Sequence, residues 1–155
     1  MHMNDILILY YSKNDSTKKM ARAIARGIES SNLASSSIRT VHSDSYKESD
    51  DILVTKEDLK KCSGMIIGSP THFGNMAAPL KAFFDSTTDE WFNNTLESKL
   101  GGVFTSTSSM HGGQETTLIS MMMPLIHHGM IIAGVPYSEK NLSSTMSGGT
   151  PYGPS

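Results

Sequence analysis

The most constraining stretch of the sequence is LILYYSKNDSTKKMARAI, from Leu7 to Ile24. An apolar run breaks into small and polar residues, then resumes as an amphipathic helix. Ile6, Leu7, Ile8 and Leu9 follow one another within Asp5 to Tyr11. A strand apolar on both faces belongs in the centre of a parallel sheet with cover on each side. From Lys18 to Ser30, Met20, Ala21, Ile24 and Ile28 share one helical face, with Lys18, Lys19, Arg22, Arg26 and Glu29 elsewhere. A buried strand, a polar turn and a helix start form an arrangement that can hold an anion, because the leading N–H groups of a helix have no acceptors of their own. Read alone, the turn is equally a polar connection with Ser or Thr as helix cap.

The alternation continues along the chain. Ser37 to Val41 is a weak strand, and His42 to Asp51 is a polar, acid-leaning segment expected to be a mobile surface loop. Thr55-Lys-Glu-Asp58 has the form of a capping box, with Leu59 and Cys62 on the buried side. Gly64 to Gly68 reads as a short buried strand, and Asn75 to Ser86 as a helix with Pro79 in its first turn and Asn75 as its cap. Gly102 to Ser106 is a fourth strand. Gln114 to His128 is a helix, in which Pro124 predicts a kink or an early break, and Gly129 is its natural C-terminal stop. Met130 to Val135 is a fifth strand. Strands alternating with helices imply a single α/β domain over residues 1–155, with a parallel sheet and right-handed crossovers. Ligands of such sheets bind beyond the carboxyl ends of the strands. The polar segments Ser12 to Thr17, Ser69 to Asn75, Ser106 to Gln114 and Pro136 onward all fall there.

Composition narrows the function. With 155 residues and a net charge of −2, the chain has no basic block to neutralise phosphates in series, so no nucleic-acid partner is expected. No apolar run approaches the roughly 18 residues of a membrane span, and no signal peptide is expected at the N-terminus. The single cysteine, Cys62, cannot form an internal disulfide and suits a cytoplasmic setting. No Cys and His spacing suggests a metal centre, and the adjacent pair His127-His128 points in two directions.

Three segments together carry a specific likeness: GSPTHFGNMAAPLKAFFD (Gly68 to Asp85), GVFTSTSSMHGGQETTLISMMMPLIHHGM (Gly102 to Met130) and GGTPYG (Gly148 to Gly153). The sequence resembles the tryptophan-repressor-binding-protein (WrbA) family over nearly its whole length, most weakly from Asn32 to Asp58. That family comprises flavodoxin-like NAD(P)H:quinone oxidoreductases carrying FMN. The resemblance implies a flavodoxin-like three-layer sandwich around a five-stranded parallel sheet of order 2-1-3-4-5. It further implies that a last helix is missing after GGTPYG, which would leave an apolar patch near the first strand and a marginally stable chain, or one covered by another chain. A homo-oligomer, dimer or tetramer, is expected.

Residue by residue, the resemblance places Ser12, Lys13, Asn14, Asp15, Ser16 and Thr17 around the FMN phosphate. Asp15 stands where the family usually has glycine. Asp tolerates the left-handed backbone region better than most residues, but its charge opposes a phosphate unless it turns to solvent or meets a lysine. Pro70, Thr71, His72, Phe73, Gly74 and Asn75 match the segment lining the isoalloxazine ring, with His72 where the family often has Arg. Ser106, Thr107, Ser108, Ser109, Met110, His111, Gly112 and Gly113 match a second flavin-contacting loop. His128, at a helix end where the dipole favours imidazolium, is implied to reach the flavin and the substrate as the catalytic residue. Trp91 and Asn14 are implied at the substrate. Without the resemblance, Phe73 reads as a core aromatic, His72 as a solvated loop residue and Trp91 as part of a subunit interface.

The implied activity is two-electron reduction of quinones by NADH or NADPH through FMN, with ping-pong kinetics because both substrates use one stacking site. Two alternatives remain at this level. One is a one-electron carrier of the flavodoxin type, against which the small net charge argues. The other is an FMN-binding or interaction protein without activity.

Overall fold

The computed structural model describes residues 4–43 and 50–155. Five strands form one parallel sheet: β1 (Asn4–Tyr10), β2 (Ala34–Thr40), β3 (Gly64–Pro70), β4 (Leu100–Ser106) and β5 (Ile131–Ile132). Their order is β2-β1-β3-β4-β5 and every pairing is parallel, as expected. Alternate residues of β1 serve opposite faces. Leu7, Leu9 and Tyr11 pack with Met65, Ile67 and Val103 against α2 (Lys56–Lys61), α3 (Ala78–Asp85) and α5 (Gln114–His127). Ile8 and Tyr10, with Phe104, meet Ala21 and Ala25 of α1 (Ser16–Ser30) on the other face. Two short helices, α4 (Thr88–Phe92) and α6 (Lys140–Ser144), complete the chain. No helix among the described residues is long and apolar enough to cross a membrane.

Several elements depart from the sequence reading for identifiable reasons. β2 begins at Ala34, earlier than expected, because all seven of its residues pair with Asn4 to Tyr10. The serines Ser35 and Ser37 donate to the Asp5 carboxylate, which gives a polar strand a reason to dock. α3 starts at Ala78 instead of Asn75. Asn75 does not cap it, because its backbone closes a tight turn on His72, with N···O distances of 2.9 and 3.1 Å. Pro124 does not end α5: the helix continues to His127, the His128 N–H donates to the Pro124 carbonyl at 3.0 Å, and Gly129 at φ 77° stops it.

β5 has only two residues because another segment takes over its position. Val135 N–H donates to the Pro151 carbonyl at 2.9 Å, and Thr105 N–H to the Pro154 carbonyl at 3.0 Å. The capping box at Thr55 and Asp58 forms as expected, and Cys62 is a buried small residue. Of the segment expected to be mobile, residues 44–49 lie outside the described residues, while Asp51 accepts from Tyr10 and Arg22. Apolar sheet surface is exposed on the α1 side, but not beside β1, whose Ile8 and Tyr10 are covered by α1. It lies at the far edge, where Leu100 of β4 and Ile131 of β5 are paired and each more than half exposed.

Candidate functional site

The carboxyl ends of β1, β3 and β4 converge as the parallel topology requires. They enclose a cavity of about 220 Å³ lined by Ser12, Lys13, Asn14, Ser16, Thr17, Pro70, Thr71, His72 and Ser106 to Ser108. Among the described residues its wall has hydroxyls, an amide, one lysine and one histidine, and no carboxylate. Thr17, buried in the first turn of α1, lies 2.8 Å from the Ser106 hydroxyl and ties the first loop to the third. The Ser12 hydroxyl is buried with no hydrogen-bond partner. An orphaned buried hydroxyl costs roughly 1–3 kcal/mol, and here it sits beside the N-terminus of a 15-residue helix whose first turn carries no acid. These are conditions that an anion satisfies. The phosphate of FMN fits them.

Asp15 adopts φ 62°, ψ −3°, makes no capping bond, is exposed and does not line the cavity. Of the two outcomes open to its side chain, it takes the turn away from the anion site.

The second loop projects as a tight turn, His72 to Asn75, with Phe73 and Gly74 both at positive φ (53° and 74°). Phe73 is fully exposed at the tip, so it is not the core aromatic that its chemistry alone suggests. A non-glycine held in the left-handed region and exposing an aromatic ring stores strain of the kind found at ligand contacts. His72 stands edge-on to Tyr11, with ring centroids 6.3 Å apart, and lines the cavity instead of lying in solvent.

The third loop, Ser106 to Gly113, is shared. Ser106 to Ser108 face the cavity, while Ser109, Met110, His111 and Gly113 open onto hollows of about 540 and 420 Å³ bounded by Gly148, Gly149 and Ser155. Gly112 is boxed in, since a Cβ there would sit 2.4 Å from the Thr107 hydroxyl. Gly113 touches the second loop: a Cβ would come within 2.9 Å of the Gly74 Cα.

Trp91 and His128 are not brought to this cavity within one chain. Both line a separate groove of about 570 Å³ between α3–α4 and α5, along with Asn75, Phe84 and Thr87. The Trp91 indole N–H donates to the His127 carbonyl at 2.9 Å, which fixes the ring at the rim. His128 is buried, not a solvated imidazolium. Burial pushes its pKa down, Lys56 and His127 add to this, and Glu90 opposes it. The helix-end dipole therefore does not decide its charge.

Sequence reasoning missed three contributors. Gln114 donates from Nε2 to the carbonyls of Ser109 and Met110 at 3.0 and 2.7 Å, fastening the third loop. Thr117 bonds Thr71 at 3.2 Å beneath the cavity. Thr87 lies 2.8 Å from His128 Nε2. Gln114 and Thr117 stand within the segment that carries the family likeness, but nothing in their spacing distinguishes them from ordinary helix residues.

Comparison with known proteins agrees with this architecture. Residues 5–140 match the family described as NADPH-dependent FMN reductase. A protein of Chromohalobacter salexigens named NAD(P)H dehydrogenase (quinone) is 40% identical over 97% of this chain and 82% of its own. A protein of the same name from Paracoccus denitrificans is 41% identical, covering 99% and 79%. Among solved structures, a WrbA-like flavodoxin from Agrobacterium tumefaciens superposes with a TM-score of 0.69 at 24% identity, covering 83% of this chain and 75% of that one. A Lactobacillus acidophilus flavoprotein in complex with FMN gives 0.59 at 21%, covering 92% and 99%. These two support the fold. The convergent loops, the sheet order and the sequence match over most of its length together place this chain in the NADPH-dependent FMN reductase family, with a flavodoxin-like fold.

Proposed function

We propose that this protein is an FMN-dependent NAD(P)H:quinone oxidoreductase that reduces quinones by two electrons. The observation that carries the reading is the cavity around the orphaned Ser12 hydroxyl at the α1 N-terminus, which no carboxylate lines among the described residues. Relatives about 40% identical, named for quinone reduction, supply the substrate class.

In this reading Ser12, Asn14, Ser16 and Thr17 hold the phosphate, with Lys13 adding positive charge. Thr71, His72 and Phe73 would hold the ring from the second loop, and Ser106 to Gly113 from the third. The flavin, when bound, supplies reversible two-electron exchange between nicotinamide and quinone. The chain's own work is to orient flat molecules against the ring. Exposed Phe73 offers an apolar surface at the mouth. Backbone and hydroxyl donors of the third loop would stabilise negative charge on the polar edge of the bound ring. NADH or NADPH enters, leaves, and is followed by the quinone.

We also read the protein as a cytoplasmic homo-oligomer. The single cysteine supports the first part. The second is supported by Ile119, Met123 and Ile126, exposed on one side of α5 near exposed Trp91 and Phe92.

The test is to load the purified protein with FMN and follow NADH and NADPH oxidation with benzoquinone. Saturation in both substrates and parallel double-reciprocal plots are expected. Absence of quinone-dependent oxidation with FMN demonstrably bound refutes the activity, and absence of FMN binding refutes the site.

A further inference from the structure

The segment GGTPYG, Gly148 to Gly153, lines no part of the cavity of about 220 Å³, yet it reshapes the sheet beside it. β5 pairs with β4 only through Ile131 and Ile132, opposite Leu100 and Gly101. Beyond that point residues 150–154 occupy the place of a longer β5. Thr150 and Gly153 exchange N–H···O bonds at 3.2 and 3.1 Å around Pro151 and Tyr152. On one flank of this small hairpin the Pro154 carbonyl accepts from the Thr105 N–H of β4 at 3.0 Å. On the other, the Pro151 carbonyl accepts from the Val135 N–H at 2.9 Å.

A glycine on each flank makes the seat. A Cβ at Gly153 would lie 2.2 Å from the Val103 carbonyl oxygen, and its φ of 153° is one that L side chains rarely adopt. A Cβ at Gly134 would lie 2.5 Å from the Pro151 carbonyl oxygen. Both obstacles are backbone atoms, which cannot swing aside as the end of a side chain can.

What the hairpin holds leads to the cavity. Thr105 is buried, and its hydroxyl donates to the Ser69 carbonyl at 2.8 Å. The next residue, Ser106, accepts at its carbonyl from the Thr71 N–H at 2.8 Å. The Ser106 hydroxyl lines the cavity and lies 2.8 Å from that of Thr17 in the first turn of α1. The outer flank of β4 at Thr105 is therefore held by the hairpin, and the residue after it belongs to the anion site.

We propose that the 150–154 hairpin is a wedge in place of β5, seated by Gly153 and Gly134, that positions the third loop for FMN. Gly153 is thus a positioning residue, acting through Thr105 and Ser106. The inference rests on FMN being the cofactor, as proposed above. Coupling of this kind is reciprocal. If an unseated hairpin weakens FMN, bound FMN must hold the hairpin in its seat by the same factor.

The experiment is amide hydrogen exchange on the full chain with and without FMN, alongside FMN affinity from fluorescence quenching. Val135 is the reporter, because its N–H is bonded to Pro151 and it lines neither the cavity nor the neighbouring hollows. In the wild type, saturating FMN is expected to slow Val135 exchange about tenfold, the scale of one hydrogen bond. Gly153→Ala and Gly134→Ala, acting from opposite flanks, should each speed that exchange and weaken FMN about tenfold. Tyr152→Ala, at the exposed tip, should match the wild type. A hairpin that only filled the sheet would not respond to the cofactor. Val135 exchange unchanged by bound FMN overturns the proposal even if neither glycine variant folds. So does wild-type FMN affinity in a glycine variant whose Val135 exchange has risen. A wild type that quenches no FMN fluorescence removes the proposed cofactor and this coupling together, a result distinct from FMN that binds and leaves Val135 unchanged.

Discussion

Replacing Asp15 by glycine separates two effects that act at one position. The backbone sits at φ 62°, where a side chain costs about 1 kcal/mol or more and Asp somewhat less. Glycine relieves that strain, but gains roughly 0.5–1 kcal/mol of unfolded-state entropy. The stability change is therefore close to zero. The charge acts only on the anion site. A carboxylate 6 Å from one phosphate charge at an effective dielectric near 20 would cost about 3 kcal/mol. Asp15 is exposed and does not line the cavity, so water screens it. At about 8 Å and a dielectric near 80, repulsion from a dianion is about 1 kcal/mol. That corresponds to about fivefold in the FMN dissociation constant. Titrating flavin fluorescence quenching in low and high salt provides the assay, because the screening length shrinks from about 30 Å at 0.01 M to about 3 Å at 1 M. Both Asp15→Gly and the uncharged, turn-tolerant Asp15→Asn should bind FMN about fivefold more tightly in low salt and equally in high salt. If Asp15→Asn matches the wild type while Asp15→Gly binds more tightly, the backbone and not the charge controls affinity, and this electrostatic account is wrong.

Two other substitutions have opposite signatures. Ser12→Ala removes a buried hydroxyl without a partner, so the apoprotein should melt no lower than the wild type while FMN affinity falls about tenfold, by calorimetry on each form. Asp58→Asn should cost about 1 kcal/mol at neutral pH in urea unfolding, because the carboxylate accepts from the Thr55 N–H and hydroxyl at 2.8 Å each and from Arg39 at 3.0 Å. Burial alone would raise the Asp58 pKa, yet these bonds hold it below 3.8. Stability from its ionised form is thus complete above that value and lost as the pH falls through the lower folded-state value. The gap between wild type and Asp58→Asn should close in acid.

How much of this was legible in the sequence depended on whether the signal was local. β1 and β3 announce themselves because burial on both faces leaves an unbroken apolar run, and their placement fixes where the loops gather. Thr55 and Asp58 are three residues apart, and their mutual bonds form within one turn. The short helix Thr88–Phe92 has too few residues to show a period. The serines of β2 become a strand only by pairing with β1. Asn75 has the chemistry of a helix cap, but the positive φ of Phe73 and Gly74 turns it back onto His72. The bond between Thr87 and His128 spans 41 positions and leaves no trace in either neighbourhood.

The same distinction separates the parts of the cavity that can move from those that cannot. Beneath it, the Thr117 hydroxyl donates to the Gly113 carbonyl at 2.8 Å and lies 3.2 Å from the Thr71 hydroxyl, Thr71 meets Thr105 at 3.3 Å, and Thr105 donates to the Ser69 carbonyl at 2.8 Å. Thr105 and Thr117 are buried, so breaking this chain of hydroxyls would strand polar atoms away from water. It clamps the ends of β3 and β4 to α5. Above it, Gly74 and Gly113 touch backbone to backbone, an approach that any side chain would prevent. The second and third loops are therefore held in register at their bases while Phe73 and Met110 stand free at their rims, 108% and 83% exposed. A base fixed by hydrogen bonds and close backbone contact, under a rim of unpacked side chains, suits the proposed reaction, in which two different flat substrates in turn meet a cofactor held in one place.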